Sequence, residues 1–237
     1  MTSWRGVCAV VGVGPGIGAA TVRRFAAEGY RVALLARRSE YIEDLAAEFP
    51  DCGARAYPCD AGDPETIAAA FASIASDMGS VDVLSYNAGG GTWGTIEQID
   101  ATAFEASWRV NALGLLAAAQ AVAPMMQVNG KGAIVVTGAT ASVRGGAKAT
   151  AFASAKAAQR SLAQSLARHL WPKGVHVSLV IVDGVVDLAR TRAAMPDKGD
   201  DFFLAPEDVA ETIWWLAHQP KSAWSFEVEA RPFGERW

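Results

Sequence analysis

The sequence predicts one α/β domain, doubly wound, with about seven parallel strands and helices on both faces. Three observations carry that expectation. Short apolar runs alternate with longer amphipathic ones along nearly the whole chain. Most of the short runs are continuously apolar and β-branched, as parallel strands covered on both faces are. The 237 residues are 51% hydrophobic and 19% charged, which excludes disorder and suffices for a large core. The length favours one domain over residues 1–237, and no repeat, linker or low-complexity tract divides it.

The elements follow in order. Strands are predicted at 6–12, 31–36, 54–59, 81–86, 132–137, 176–182 and 225–229. Helices are predicted at 17–29, 40–49, 64–78, 101–128, 149–170 and 206–218. Asp63 before Pro64 reads as a cap followed by proline at the first helical position, and Pro206 opens the last helix in the same way. Residues 110–130 carry no charged side chain and approach membrane-spanning length. Asn111, Gln120, Pro124, Gln127 and Asn129 interrupt them, so a helix buried on several sides is expected and no membrane contact. The apolar N-terminus runs into a glycine-rich loop rather than a cleavage site.

Composition narrows the function classes. Lys plus Arg number 21 against 25 Asp plus Glu, a net charge of −4, with no long basic run; nucleic acid is not an expected partner. Cys8, Cys52 and Cys59 show no CxxC spacing, and an odd count without a leader suggests reduced thiols in the cytoplasm. His169, His176 and His218 are scattered, so no metal site is expected.

The first strand runs into Gly12-Val13-Gly14-Pro15-Gly16-Ile17-Gly18. Glycines there serve a tight turn, a close approach of backbone to a pyrophosphate, and close packing of helix on strand. The following helix aims its free N–H groups at phosphate. Between a strand and a helix at the start of a repeating β/α chain, this is a dinucleotide site. The second strand ends Ala36-Arg37-Arg38, where an NAD site would usually place an acid for the ribose hydroxyls. A guanidinium pair suits a 2′-phosphate, so NADP(H) is preferred over NAD(H). Asp60, after the third strand, is placed to accept from the adenine amine; capping the helix after Pro64 is the alternative.

Together these residues resemble the short-chain dehydrogenase/reductase family over nearly the whole chain. The resemblance rests on the Gly12–Gly18 loop, Cys59-Asp60, Asn87-Ala88-Gly89, Arg109-Val110-Asn111 and Lys156. It implies a Rossmann-type domain, with Asn87, Ala88 and Gly89 shaping the loop beside the cofactor. It implies that Asn111 holds a water in a proton relay, that Lys156 binds the nicotinamide ribose, and that the backbone at Val186 meets the carboxamide. It also implies a homodimer or homotetramer. The family's active-site pattern is Tyr-x-x-x-Lys with a serine thirteen residues before the tyrosine. Read back from Lys156, those positions hold Phe152 and Ala139. Tyr30, Tyr41, Tyr57 and Tyr86 all lie upstream, so no tyrosine replaces the missing one.

A positioned general acid contributes about 10²–10⁴-fold, so ordinary ketone–alcohol chemistry is disfavoured. Three functions fit. The first is an NADP(H)-dependent oxidoreductase whose acid is displaced or unnecessary, acting on a small apolar carbonyl, imine or activated alkene. Its candidate groups are Lys156, Asn111 and the hydroxyls of Thr140, Ser142 and Ser154, though bonding within their own loop is the more ordinary role of Thr140 and Ser142. The second is an inactive NADP(H)-binding sensor or partner subunit. The third is a lyase or isomerase on the same scaffold. Trp93, in the glycine-rich loop after the fourth strand, is a candidate substrate wall, or simply an anchor for that loop. Residues 187–204, with Met195, Pro196, Phe202 and Phe203, read as a substrate lid that favours an apolar ligand. Trp214, Trp215, Trp224 and Trp237 crowd the C-terminal segment and, with alanine-rich faces at 117–119 and 153–158, suggest subunit contacts.

Overall fold

In the computed structural model, which describes residues 4–234, seven parallel strands form one sheet. They are β1 (Val7–Val11), β2 (Arg31–Ala36), β3 (Arg55–Pro58), β4 (Val83–Tyr86), β5 (Gly132–Ala139), β6 (Val175–Val182) and β9 (Glu227–Ala230). Two further strands, β7 (Val185–Val186) and β8 (Phe203–Leu204), pair with each other apart from the main sheet. The order β3-β2-β1-β4-β5-β6-β9 reverses direction between β1 and β4, where Val11 lies between Leu35 and Tyr86. Such a reversal opens a crevice outside the carboxyl ends of the strands.

The eight α-helices among the described residues are α1 (Ile17–Ala27), α2 (Ser39–Ala47), α3 (Pro64–Met78), α4 (Ala101–Trp108), α5 (Gly114–Asn129), α6 (Thr150–Leu170), α7 (Ala189–Ala194) and α8 (Pro206–Ala217). The sheet separates two apolar layers. Val7, Ala9 and Val11 join Ile67 and Phe71 of α3, Leu115 and Val122 of α5, and Ala163 and Leu170 of α6. Cys8 and Val10 join Val22 and Phe25 of α1, Ile42 of α2, and Ile213 of α8. This side-to-side alternation is why the central strands carry no polar face, while the edge strands β3 and β9 expose Arg55 and Glu229.

Local signals hold where they rest on caps. Asp63 accepts from the Glu65 N–H at 3.0 Å and Pro64 begins α3, so the cap is Asp63 and not Asp60. Other expectations are corrected. The predicted helix 101–128 is interrupted by a π-helical turn, Arg109–Leu113, which separates α4 from α5. Residues Ala101–Asn129 are long and apolar enough to cross a membrane, but half of the apolar window is buried and Leu115, Ala118, Ala119, Val122 and Met126 lie in the core. The alanines at 118 and 119 therefore pack on the sheet. Two of the C-terminal tryptophans are also absorbed within the chain. Trp214 stacks edge-on against Phe25 and Tyr30, and Trp224 lies flat on His176 at 4.8 Å. Trp215 is exposed, and Trp237 lies outside the described residues.

Candidate active site

The crevice at the β1–β4 reversal is a cleft of about 880 Å³. Gly12, directly after β1, has φ +91°, and a Cβ there would lie 2.4 Å from the Ala88 backbone. Only glycine fits this turn. Asn87 Nδ2 donates to Gly12 O at 2.8 Å, so the loops after β1 and β4 are tied together. The α1 helix then begins at Ile17 with no side-chain cap and no acid in its first turn. Ala19 N–H donates to Gly14 O at 3.0 Å, and the N–H groups of Ile17 and Gly18 have no acceptor among the described residues, with the positive end of the helix dipole behind them. A Cβ at Gly14 would meet nothing within 4 Å, which leaves open space above the loop.

Every predicted cofactor residue except Lys156 lines this cleft: the loop from Gly12 through Gly14, Gly16, Ile17 and Gly18, the Arg37–Arg38 pair, Asp60, Asn87 with Ala88 and Gly89, and Val186. Arg37 and Arg38 are exposed and have no carboxylate partner among the described residues; Arg38 lies over the Tyr41 ring at 5.8 Å. Asp60 accepts from the Gly62 N–H at 2.8 Å, which fixes its carboxylate at the cleft wall.

Lys156 stands behind the cleft floor and is only 4% exposed. Its Nζ donates to Thr137 O at 2.8 Å and to Gln159 Oε1 at 2.9 Å. Gln159 Nε2 donates to Asn111 O at 3.0 Å, and Asn111 Nδ2 to Gly90 O at 2.6 Å and Ser107 O at 2.7 Å. The π-helical turn carries Asn111 into this chain of bonds. Asn111 Oδ1 is buried without a partner. A Cβ on Gly89 would lie 3.1 Å from Lys156 Nζ and 3.3 Å from Asn111 Oδ1, so bare backbone is all that separates them from the cleft. Burial pushes the Lys156 amine down to about 7.

Phe152 lies one turn before Lys156 on α6. Its ring packs against Trp93 with centroids 5.1 Å apart and planes 33° apart, and Trp93 remains 65% exposed. Gly91 passes beneath, where a Cβ would touch Phe152 at 3.0 Å. Ala139 ends β5 and its N–H donates to Ser142 Oγ at 3.1 Å. Thr140 donates its hydroxyl proton to the Asp183 carboxylate, and Ser154 is exposed and donates to Thr150 O at 2.8 Å. Thr140 and Ser154 thus spend their protons on the protein, and Ser142 is bonded within its own loop. Of the five catalytic candidates, the structure joins Lys156 and Asn111, leaves Thr140 and Ser142 in the loop after β5, and turns Ser154 to the exposed side of α6.

The family model for short chain dehydrogenases matches residues 6–198. The chain belongs to that family. It is therefore an oxidoreductase by family, of a kind that uses a nicotinamide cofactor on small-molecule substrates. An uncharacterised oxidoreductase of Staphylococcus aureus is 28% identical over 226 residues, 95% of this chain and 96% of the relative. A short-chain dehydrogenase structure from Rhodopseudomonas palustris is 34% identical, with a TM-score of 0.81 over 95% of this chain and 98% of that one. A metagenomic short-chain oxidoreductase solved in complex with NADP is 29% identical, with a TM-score of 0.83 over 98% and 99% of the two chains.

Three features of this short-chain dehydrogenase escape sequence reading. Gln159 completes the bond chain to Lys156; its signal is a lone glutamine three residues after the lysine, on the same helix face. Asp183 gathers Thr140, Arg231 at 2.5 Å and Arg144 at 3.7 Å at the carboxyl end of β6. Leu188 and Arg190, from the segment after β7, line the cofactor cleft.

Proposed function

We propose that this short-chain dehydrogenase acts as a single unit over residues 1–237, binds NADP(H), and reduces a small apolar carbonyl, imine or activated alkene without a proton from the protein: hydride neutralises an iminium, and solvent protonates the enolate or alkoxide that the other acceptors leave. The observation that carries this reading is Phe152, packed on Trp93 one turn from an intact and buried Lys156. The cleft fits the cofactor on three counts: open space over Gly14, an uncapped α1, and two guanidinium groups with no carboxylate partner at the end of β2. Bound NADPH supplies a hydride. In this reading the α1 N-terminus and the Gly12–Gly18 backbone hold pyrophosphate, and Arg37 with Arg38 hold the 2′-phosphate. Asp60 accepts from the adenine amine, and the Val186 backbone meets the carboxamide. Lys156 presents its third N–H position past Gly89 to the ribose hydroxyls, while Asn111 and Gln159 hold the lysine in place. Trp93 and Phe152 exclude water and orient an apolar acceptor. The NADP bound by the metagenomic relative supports the choice of cofactor. Three buried free thiols support a cytoplasmic setting, and exposed Phe104, Trp108 and Trp215 support a homo-oligomer.

The test is an NADPH titration followed by tryptophan fluorescence, with NADH as the comparison, and then a screen of acceptors by nicotinamide absorbance. Tight NADPH binding, much weaker NADH binding and turnover of iminium or activated-alkene acceptors are expected. Efficient reduction of simple ketones with none of those acceptors refutes the reading. Phe152 also favours a second function, an NADP(H) sensor, which predicts binding without turnover of any acceptor.

A further inference from the structure

A third cation faces the cleft, and none of the contacts proposed above uses it. Arg190 lines the cleft from the segment after β7 and is exposed. Its neighbour Arg192 is fully engaged, held by both oxygens of Asp187 at 2.7 Å and by Asp200 at 2.7 Å. Arg190 has no carboxylate, carbonyl or aromatic partner among the described residues. Arg37 and Arg38 share that condition with respect to carboxylates, so three guanidinium groups without an acid meet in one cleft of a chain whose net charge is −4. Only Asp60 opposes them there.

The backbone carrying Arg190 is fixed. Asp187 N–H donates to Leu204 O at 2.8 Å, which anchors the start of the segment to β8. The Thr191 hydroxyl donates to Val186 O at 2.6 Å and accepts from the Leu188 N–H at 3.0 Å, which folds residues 186–191 into one knot. The Leu188 side chain is seated on the glycine loop; a Cβ on Gly16 would come within 2.9 Å of its Cδ2. Arg190 is therefore held two residues from the contact with Gly16. The strand order places β2 and β6 on opposite sides of the β1–β4 reversal. Arg37 and Arg38 enter the cleft from the first side, and Arg190 enters from the second.

We propose that Arg190 binds the pyrophosphate of the dinucleotide, closing over the glycine loop opposite the α1 N-terminus. This rests on the NADP(H) reading and adds to it a residue from the substrate-side segment. A guanidinium suits this place because it offers paired donors to phosphate oxygens and stays charged at any working pH. The division of labour is then explicit: Arg37 and Arg38 choose NADP over NAD, while Arg190 strengthens both.

The experiment titrates three probes into the full-length protein: NADPH, NADH and adenosine 2′-monophosphate, which has the 2′-phosphate but no pyrophosphate. Arg190→Ala is expected to weaken NADPH and NADH by the same factor, about tenfold. It leaves adenosine 2′-monophosphate unchanged. Arg37→Ala with Arg38→Ala weakens NADPH and adenosine 2′-monophosphate and spares NADH. Arg190 is exposed and has no hydrogen-bond, ion-pair or ring partner among the described residues, so its variant is expected to fold, and an unchanged melting temperature shows that it does. Unaltered NADPH affinity in Arg190→Ala overturns the proposal, as does a loss shared with adenosine 2′-monophosphate. A wild-type protein that binds adenosine 2′-monophosphate but neither dinucleotide overturns it together with the proposed function. Intact NADPH binding with an indifferent Arg190 overturns the proposal alone.

Discussion

Lys156 is a buried amine with no carboxylate partner among the described residues, and that has a measurable thermodynamic signature. Its bonds go to the Thr137 carbonyl and the Gln159 amide oxygen, neither of which carries a full charge. Lowering the amine from 10.5 to about 7 corresponds to about 5 kcal/mol against the charged form in the folded protein. Below pH 7 the folded and unfolded chains both hold the proton, and the penalty is complete. As pH rises from 7 toward 10.5 the folded chain releases the proton while the unfolded chain keeps it, so stability climbs. Lys156→Met removes the titration. It also strands the two acceptors, a cost that does not vary with pH and cancels when changes with pH are compared. Between pH 6 and pH 9 the wild type is expected to gain about 2.5 kcal/mol relative to Lys156→Met. Urea unfolding of both proteins across that range, without added nucleotide, measures the difference. A flat difference refutes the reasoning, because Lys156 would then titrate alike in both states.

Three further outcomes follow from the geometry. Gly12→Ala places a Cβ 2.4 Å from the Ala88 backbone at a φ of +91° and is expected to cost about 3 kcal/mol or more, read by thermal or urea melts. Tyr86→Phe strands Val110 O, which now accepts from the tyrosine hydroxyl at 2.6 Å; it is expected to cost about 1–2 kcal/mol while NADPH affinity stays unchanged in titration. Ala139→Ser with Phe152→Tyr puts two hydroxyls beside Lys156 and is expected to raise turnover of simple ketones by about 10²-fold, followed by nicotinamide absorbance. No gain would mean that the pocket has diverged beyond these two positions.

The legible parts of this molecule are those written in adjacent residues. The Gly12–Gly18 run specifies its turn and its ligand space because each glycine does a local task. The Asp63-Pro64 pair marks the start of α3 because cap and proline act within one turn. The central strands are visible because double burial requires unbroken apolar runs, whereas the edge strands β3 (Arg-Ala-Tyr-Pro) and β9 (Glu-Val-Glu-Ala) are only partly buried and carry a weaker signal. What was not legible depends on partners far along the chain. Thr140 reads as a catalytic hydroxyl or a bond within its own loop until Asp183, from another strand end, accepts its hydrogen bond. Trp214 reads as surplus aromatic surface until Phe25 and Tyr30 pack around it. Asn111 lies in what reads as a continuous helix, and nothing local signals the π-helical turn that carries it toward Gln159. Arg190 and Arg192 look alike in sequence; only the folded segment shows that one is spent on carboxylates and the other is not.

The loop after β4 belongs to two compartments at once. Gly89 and Gly90 form part of the cofactor cleft, Gly91 passes beneath Phe152, and Trp93 covers that ring. Five residues, Gly89 to Trp93, thus run from the cleft to the aromatic pair. Under the NADP(H) reading proposed above, that shared loop makes ordered addition the expected kinetics, nucleotide first and acceptor second, and a random order in initial-rate and product-inhibition patterns refutes it. A single loop, rather than any hinge between domains, would then dictate the sequence of events in each turnover.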